Sequence, residues 1–316
     1  MFQSSIVSYS ENGRDKRYGS SSYRGNTDGG IVKDFLDYCE IKYKHPVESC
    51  SDYMSGSFTT RDVCLERGIK GTWTDLSCGF NMLLDSCPIP DRPQTILWHP
   101  PYSSMIQIPY AGSQWDDKEF IAKYGYDPKP YDLGRMDWNE FIKALNFCMM
   151  KQFSALESGG RLGILMGDIR RKGVYKSMLL EIAKPGEVES IVIKKQNNTW
   201  SGSRTYGNGT LSFIPIEQEY FLILRKDSPY ILDFSYVKKA VLDIRDSLSA
   251  TWKDVVLSVL EKLKGNATLE MIYKEIEGFK KASQNTNWKA KVRQVLQQLR
   301  DTGLAKHISD GVWAAA

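Results

Sequence analysis

From Ile31 to Lys226 the chain alternates short apolar runs with amphipathic stretches, and at Lys226 that alternation stops. Strands that feed helices, which return to neighbouring strands, bury their apolar faces only in a mostly parallel sheet with helices on both sides. Helical spacing of Ile31, Phe35, Leu36 and Tyr38 opens the series. Strands are predicted over 47–52, 71–76, 94–98, 161–168, 190–196 and 219–226, and helices over 59–67 and 138–157. Residues 103–137, rich in Tyr, Asp, Gly and Pro, are an insertion too polar for a core. Residues 1–30, polar and rich in Gly and Ser, are expected to be a mobile leading segment.

A linker over 227–250 leads to a second unit at 251–316. Trp252, Val255, Val256, Val259, Leu260 and Leu263 share one helix face, which stops at Gly265. Thr268 caps a second helix with Leu269, Ile272, Tyr273 and Ile276, and a third carries Val292, Val295, Leu296 and Leu299. The stretch LAKHISDGVW closes as a two-strand hairpin. Three helices and a hairpin outline a winged helix.

Charge is distributed unevenly. The net charge is +4, and residues 251–316 hold 11 Lys and Arg against 7 Asp and Glu, leaving 31 of each in the rest. A localised basic excess argues for a polyanion partner. No apolar run reaches the 18 or so residues of a membrane span, so no membrane role is expected. The leading residues lack a secretory pattern, and six scattered cysteines without Cys-x-x-Cys suit a reduced cytoplasmic setting and no metal site.

Three segments carry the chemistry. Ser51 to Thr60 (SDYMSGSFTT) joins a strand end to a small-residue turn and a helix start, where a ligand can approach backbone N–H groups. Asp75 lies at the end of the next strand, where a carboxylate can hold ribose hydroxyls. His99-Pro100-Pro101-Tyr102 follows a later apolar strand. Its prolines remove two N–H donors, leaving carbonyls to accept from a ligand amino group, and its aromatic ring can stack on a flat base.

In order and spacing these segments resemble the amino-methylating DNA methyltransferases of the adenine-N6 and cytosine-N4 class, over about residues 18–226. Tyr23-Arg24-Gly25-Asn26 and Met166-Gly167-Asp168 support the resemblance. It implies a Rossmann-like S-adenosylmethionine-dependent methyltransferase fold and an enzyme acting on double-stranded DNA, with S-adenosyl-L-methionine as cofactor. Tyr23, Asn26, Asp52, Met54, Ser55, Gly56, Thr59, Asp75 and Leu76 would hold the cofactor, and His99, Pro100, Pro101 and Tyr102 would grip a flipped base. A catalytic Pro-Cys is absent, which excludes cytosine-C5 chemistry. Two positions depart from the family: Phe58 replaces the second motif glycine, where it could crowd the cofactor, and His99 replaces Asp, Asn or Ser. Neutral His accepts a hydrogen bond where protonated His does not. Adenine-N6 is preferred over cytosine-N4. The competing class is a methyltransferase-like DNA-binding protein without catalysis.

The segment from Asn287 to Leu304 is similar to the winged helix appended to some restriction enzymes, including the one that cleaves methylated GATC, and this raises a cognate restriction endonuclease as a further partner. Lys289, Lys291, Arg293, Gln294 and Gln297 are its expected DNA contacts. Trp288 and Trp313 are expected in its core. Asn197 and Arg204, on a polar sheet edge, are further DNA candidates. Oligomeric state is not legible.

Overall fold

In the computed structural model the described residues are 1–9, 15–20, 22–85, 92–106, 110–197, 214–227, 233–235, 238–240 and 250–316. The chain begins with β1 (Ile6–Ser8) and α1 (Gly29–Tyr43), then β2 (Cys50–Ser51), α2 (Thr59–Glu66) and β3 (Thr95–Trp98). Next come α3 (Asp117–Tyr124), α4 (Trp138–Ala155), β4 (Arg161–Arg171), β5 (Val174–Ser177) and α5 (Met178–Glu181). Strands β6 (Glu187–Lys195) and β7 (Gln218–Arg225) complete the first unit, and β8 (Asp233–Ser235) and β9 (Lys238–Ala240) form a small antiparallel pair inside the expected linker.

The main sheet has the order β1-β6-β7-β4-β3-β2, with β5 paired to β4 off that path. Neighbours run parallel except at β7, which is antiparallel to both β4 and β6. The reversed strand fills the gap left when β6 forms one place away from β4. Strand residues alternate between two cores, as a period of two requires. Ile96, Trp98, Leu162, Ile164, Leu222 and Leu224 pack with Phe141, Leu145, Met149 and Phe153 of α4. On the other face Leu97, Leu165, Phe221 and Ile223 meet Ile31, Phe35 and Leu36 of α1 and Val63 of α2. Side-chain caps fix the helix starts: Asp28 accepts from Gly30 N, and Asp137 from Glu140 N.

Several elements differ from the sequence reading. Within the leading segment, β1 adds to the sheet edge beside β6, and Tyr18 is buried. Instead of a strand over 71–76, the bridges Ser49↔Lys70 and Asp52↔Trp73 form, with Trp73 packed against the α1 side of the core. The insertion buries Phe120, Leu133 and Met136, so it seats its own apolar residues against the domain. Strand β4 runs three residues beyond Asp168 and turns into a hairpin with β5.

The second unit contains α6 (Trp252–Leu263), β10 (Ala267–Thr268), α7 (Leu269–Ile276), α8 (Lys280–Ser283), α9 (Trp288–Asp301), β11 (Ala305–Ser309) and β12 (Val312–Ala315). The short α8 makes four helical segments where three were expected. A three-stranded sheet, β10-β12-β11, and a separate apolar core complete the winged helix, with Trp313 buried in that core and Trp288 packed against it. A capping box of Thr251 and Asp254 starts α6. Among the described residues no helix is long and apolar enough to cross a membrane.

Candidate active site and nucleic-acid interface

All the parallel strands point their C-terminal ends to one edge of the sheet, and the three motif segments converge there. At the end of β2, Asp52 is buried beneath the turn that leads to α2. Its Oδ2 accepts from Thr60 Oγ1 at 2.8 Å and its Oδ1 from Met54 N at 3.1 Å. Burial pushes its pKa up to about 7, against those two hydrogen bonds. Ser55 Oγ donates to the Asp52 carbonyl at 2.7 Å, and Gly56 follows with a φ of 47°. A Cβ at Gly56 would lie 3.0 Å from the Tyr23 ring, so only glycine lets that ring close over the turn.

Asp75 braces that turn from a separate segment. Its Oδ2 accepts from Gly56 N at 3.1 Å, and its Oδ1 from Ser77 N and Ser77 Oγ at 2.9 and 2.7 Å. Burial raises its pKa against those bonds. A carboxylate oxygen accepts two hydrogen bonds, so Oδ2 keeps one position for a ligand hydroxyl. Phe58 takes a φ of 64° at the N-cap of α2 and lies under the Arg61 guanidinium, 4.5 Å from its ring centroid. It is not among the residues that line the cavity, so the crowding it could cause does not occur.

Strand β3 delivers His99 to Tyr102. His99 Nδ1 lies 2.9 Å from Thr27 Oγ1 and Nε2 lies 3.9 Å from Glu219 Oε1. Burial lowers the His99 pKa below the usual imidazole value, outweighing the Glu219 charge, so the ring is neutral near pH 7. Glu219, on β7, accepts from Tyr102 OH at 3.1 Å and from Lys194 Nζ at 2.6 Å. Burial works to raise its carboxyl, but the Lys194 ammonium holds it below the ordinary range. Gly167 of β4 gives room for this ring, since a Cβ there would lie 2.8 Å from the Tyr102 hydroxyl.

Tyr23, Asp52, Met54, Ser55, Gly56, Asp75, Leu76, His99, Pro100, Pro101 and Tyr102 thus share one cavity of about 850 Å³, partly open to solvent. Phe80 and Met82 supply an apolar wall, and Tyr110, Trp115 and Tyr131 of the insertion form its rim. Tyr23 stacks on Tyr110, with ring centroids 5.9 Å apart. Two expected cofactor residues stand outside. Thr59 is buried behind the turn, where it donates to the Thr27 carbonyl, and Asn26 donates to Ser20 O within its own loop.

Sequence reasoning missed Thr27, Lys194 and Glu219. The signal for Glu219 was present, a carboxylate opening the otherwise apolar run EYFLILRK.

On the winged helix, Lys289, Arg293, Gln294 and Gln297 are exposed on α9, opposite the buried Val292, Val295, Leu296 and Leu299. Lys289 Nζ lies 5.6 and 5.5 Å from the Tyr273 and Trp288 ring centroids, Arg293 Nη1 donates to Tyr273 OH at 3.0 Å, and Lys291 Nζ donates to Gln294 Oε1 at 3.0 Å. Lys289 and Arg293 are therefore both held against Tyr273. Asn197 instead ties the ends of β6 and β1 together by donating to Ser8 Oγ and Tyr9 O. That amide bonds within the fold. Arg204 lies outside the described residues.

The strand order, the single reversed strand and the site at the C-terminal edge define a Rossmann-like fold of the class I S-adenosylmethionine-dependent methyltransferase type, joined to a C-terminal winged helix. Residues 249–314 match the family model of the Dam-replacing HTH domain. No curated protein matches the chain. Among solved structures, TrmN from Thermus thermophilus is similar at 12% identity and a TM-score of 0.30, over 64% of this chain and 50% of that one. A provisionally assigned DNA modification methylase, also from Thermus thermophilus and complexed with S-adenosyl-L-methionine, is similar at 18% identity and a TM-score of 0.26, over 61% of this chain and 59% of that one. An rRNA methylase from Streptococcus thermophilus is similar at 15% identity and a TM-score of 0.30, over 62% and 95%. The matched region spans only 50% and 59% of the first two structures.

Proposed function

We propose that the chain is an S-adenosylmethionine-dependent DNA methyltransferase acting on the exocyclic amino group of a flipped base, adenine N6 in preference to cytosine N4. In this reading residues 31–226 form the catalytic unit and 251–316 the DNA-binding unit. One observation carries it: the Ser55-Gly56 turn with Asp75 and the His99–Tyr102 turn open into the same cavity.

The residues fit the cofactor. Asp75 Oδ2 has an acceptor position left for a ribose hydroxyl, Gly56 gives a close backbone approach, and Leu76, Phe80 and Met82 offer an apolar slot for a flat ring. When bound, the cofactor would supply an electrophilic methyl group. The protein's part is to orient the amino nitrogen and exclude water. Tyr102 stacks on the base, its hydroxyl anchored by Glu219, and the Pro100 carbonyl accepts one amino hydrogen. His99 accepts the other through Nε2, in the tautomer whose Nδ1–H donates to Thr27 Oγ1. The Glu219 carboxylate beside Nε2 favours the positive charge that develops on the amino group. Tyr110 and Trp115 at the rim shield the site.

The test is methyl transfer to unmodified genomic DNA, with the product digested to nucleosides and weighed. N6-methyldeoxyadenosine is the expected product. N4-methyldeoxycytidine would overturn the choice of base, and absence of any methylated nucleoside from cofactor-binding protein would overturn the enzyme.

A further inference from the structure

Strand β4 continues past its partners in the main sheet. Its pairing with β3 ends at Ile164 and with β7 at Gly167, whereas Asp168 to Arg171 pair with β5 through Asp168↔Ser177, Ile169↔Lys176, Arg170↔Tyr175 and Arg171↔Val174. Lys172 and Gly173 form the turn with φ of 47° and 78°. Two successive left-handed residues give the tight hairpin turn whose twist matches the strands.

The hairpin is braced at its base. Tyr175 and Tyr220 both donate their hydroxyls to Asp168 Oδ2, the latter at 3.1 Å. Arg171 Nη1 donates to the carbonyls of Ser104 and Met105 at 3.0 and 2.8 Å. Those carbonyls follow Tyr102 closely in the chain, so the hairpin is fastened to the base-gripping turn.

Its tip is left open to solvent. Val174 is 51% exposed and Tyr175 44% exposed, although both are large and apolar. Arg170, Arg171, Lys172 and Lys176 surround them, and no acid occurs from Ile169 to Leu180. Apolar exposure and like-charge crowding both cost free energy, and both are relieved by one partner, a polyanion with an apolar gap. A duplex from which a base has been withdrawn is such a partner, since architectural proteins insert small apolar wedges between base steps. Val174, opposite Arg171, stands four residues beyond Gly167, a reach of about 13 Å at 3.3 Å per residue.

We propose that the β4–β5 hairpin enters duplex DNA beside the withdrawn base. Val174 fills the gap in the stack, and Arg170, Lys172 and Lys176 meet the flanking phosphates. This rests on the DNA amino-methylation reading, and the experiment separates the two.

The full chain is tested on one linear duplex of unmodified genomic DNA and on the same DNA heat-denatured. Lys172→Asn with Lys176→Gln should flatten the log–log salt dependence of duplex binding by about 2, one for each lost phosphate contact. An unchanged slope overturns the phosphate role. Val174→Ser should lower methyl transfer on duplex at least tenfold while transfer on single strands, which need no withdrawal, stays unchanged. Val174→Leu should restore the duplex rate. An unchanged duplex-to-single-strand ratio in Val174→Ser overturns the wedge. Wild-type protein that transfers no methyl group to either DNA overturns the enzyme reading and the wedge with it, while the salt slopes still decide the DNA surface.

Discussion

His99 occupies the position at which a hydrogen-bond acceptor is needed, and its surroundings keep it one. The ring is buried, Thr27 fixes one nitrogen and Glu219 faces the other. Because the folded-state pKa is lowered, the neutral ring persists as pH falls through the ordinary imidazole range and protonates only below it. Methyl transfer should therefore stay level from pH 8 to below the usual imidazole value and then drop. His99→Asn, which accepts but does not titrate there, should keep activity and lose that acid limb. His99→Ala should lose about 100-fold in kcat, the scale of one removed group at a developing charge. A pH–rate profile of both variants checks this, and an Ala variant with full activity would remove His99 from the site.

At the scale of elements, the turn between β2 and α2 shows how a motif survives a substitution. A left-handed residue at position 58 is demanded by the turn, which is why glycine suits it, and Phe58 bears the strain while its ring leaves toward Arg61. Phe58→Gly should relieve about 1 kcal/mol of backbone strain, offset in part by the lost contact with Arg61. Cofactor affinity should be unchanged, because the ring stands outside the cavity. Thermal unfolding with and without S-adenosylmethionine checks both halves. An affinity that rises several-fold in the glycine variant would mean that Phe58 does crowd the site. The α9 helix follows the opposite pattern: its apolar face and its cations were both spelled out by helical period, and packing added only Tyr273, which holds Lys289 and Arg293.

For the whole molecule, the joint between the two units is a buried ionic cluster. Asp254 is fully buried. Ser158 Oγ donates to its Oδ1, and Arg92 Nε lies 3.8 Å from its Oδ2. Lys226, also buried, donates to the carbonyls of Ser154 and Leu156, and burial depresses its ammonium to about 8, with Asp254 resisting. Lys253 Nζ meets Glu157 Oε1 at 2.6 Å. The acid that caps α6 thus also neutralises cations of the catalytic unit. Asp254→Ala should cost about 3–5 kcal/mol, because it leaves buried cations without their carboxylate. The wild-type chain should unfold in one calorimetric transition and Asp254→Ala in two, and a variant that keeps one transition at the wild-type temperature would refute the coupling.

Elements and their faces are local properties of this chain, and they were legible before any fold was known. Period-two strands, the α4 and α9 stripes, the cap at Thr268 and the three motif segments are written in residues a few positions apart. Eleven of the thirteen catalytic and cofactor residues expected from those patterns line one cavity, because strand ends in such a sheet share an edge. Contacts between residues distant in sequence came from tertiary packing alone. Glu219 reaches Tyr102 across 117 positions, Thr27 reaches His99 across 72, and Asp254 reaches Ser158 across 96. Packing likewise placed Asn197 between the ends of two strands and Phe58 away from the cavity, and it extended β4 into a hairpin. Hydrogen bonds and charge pairs between buried groups depend on which backbone segments the fold brings within about 3 Å, and no local period carries that information.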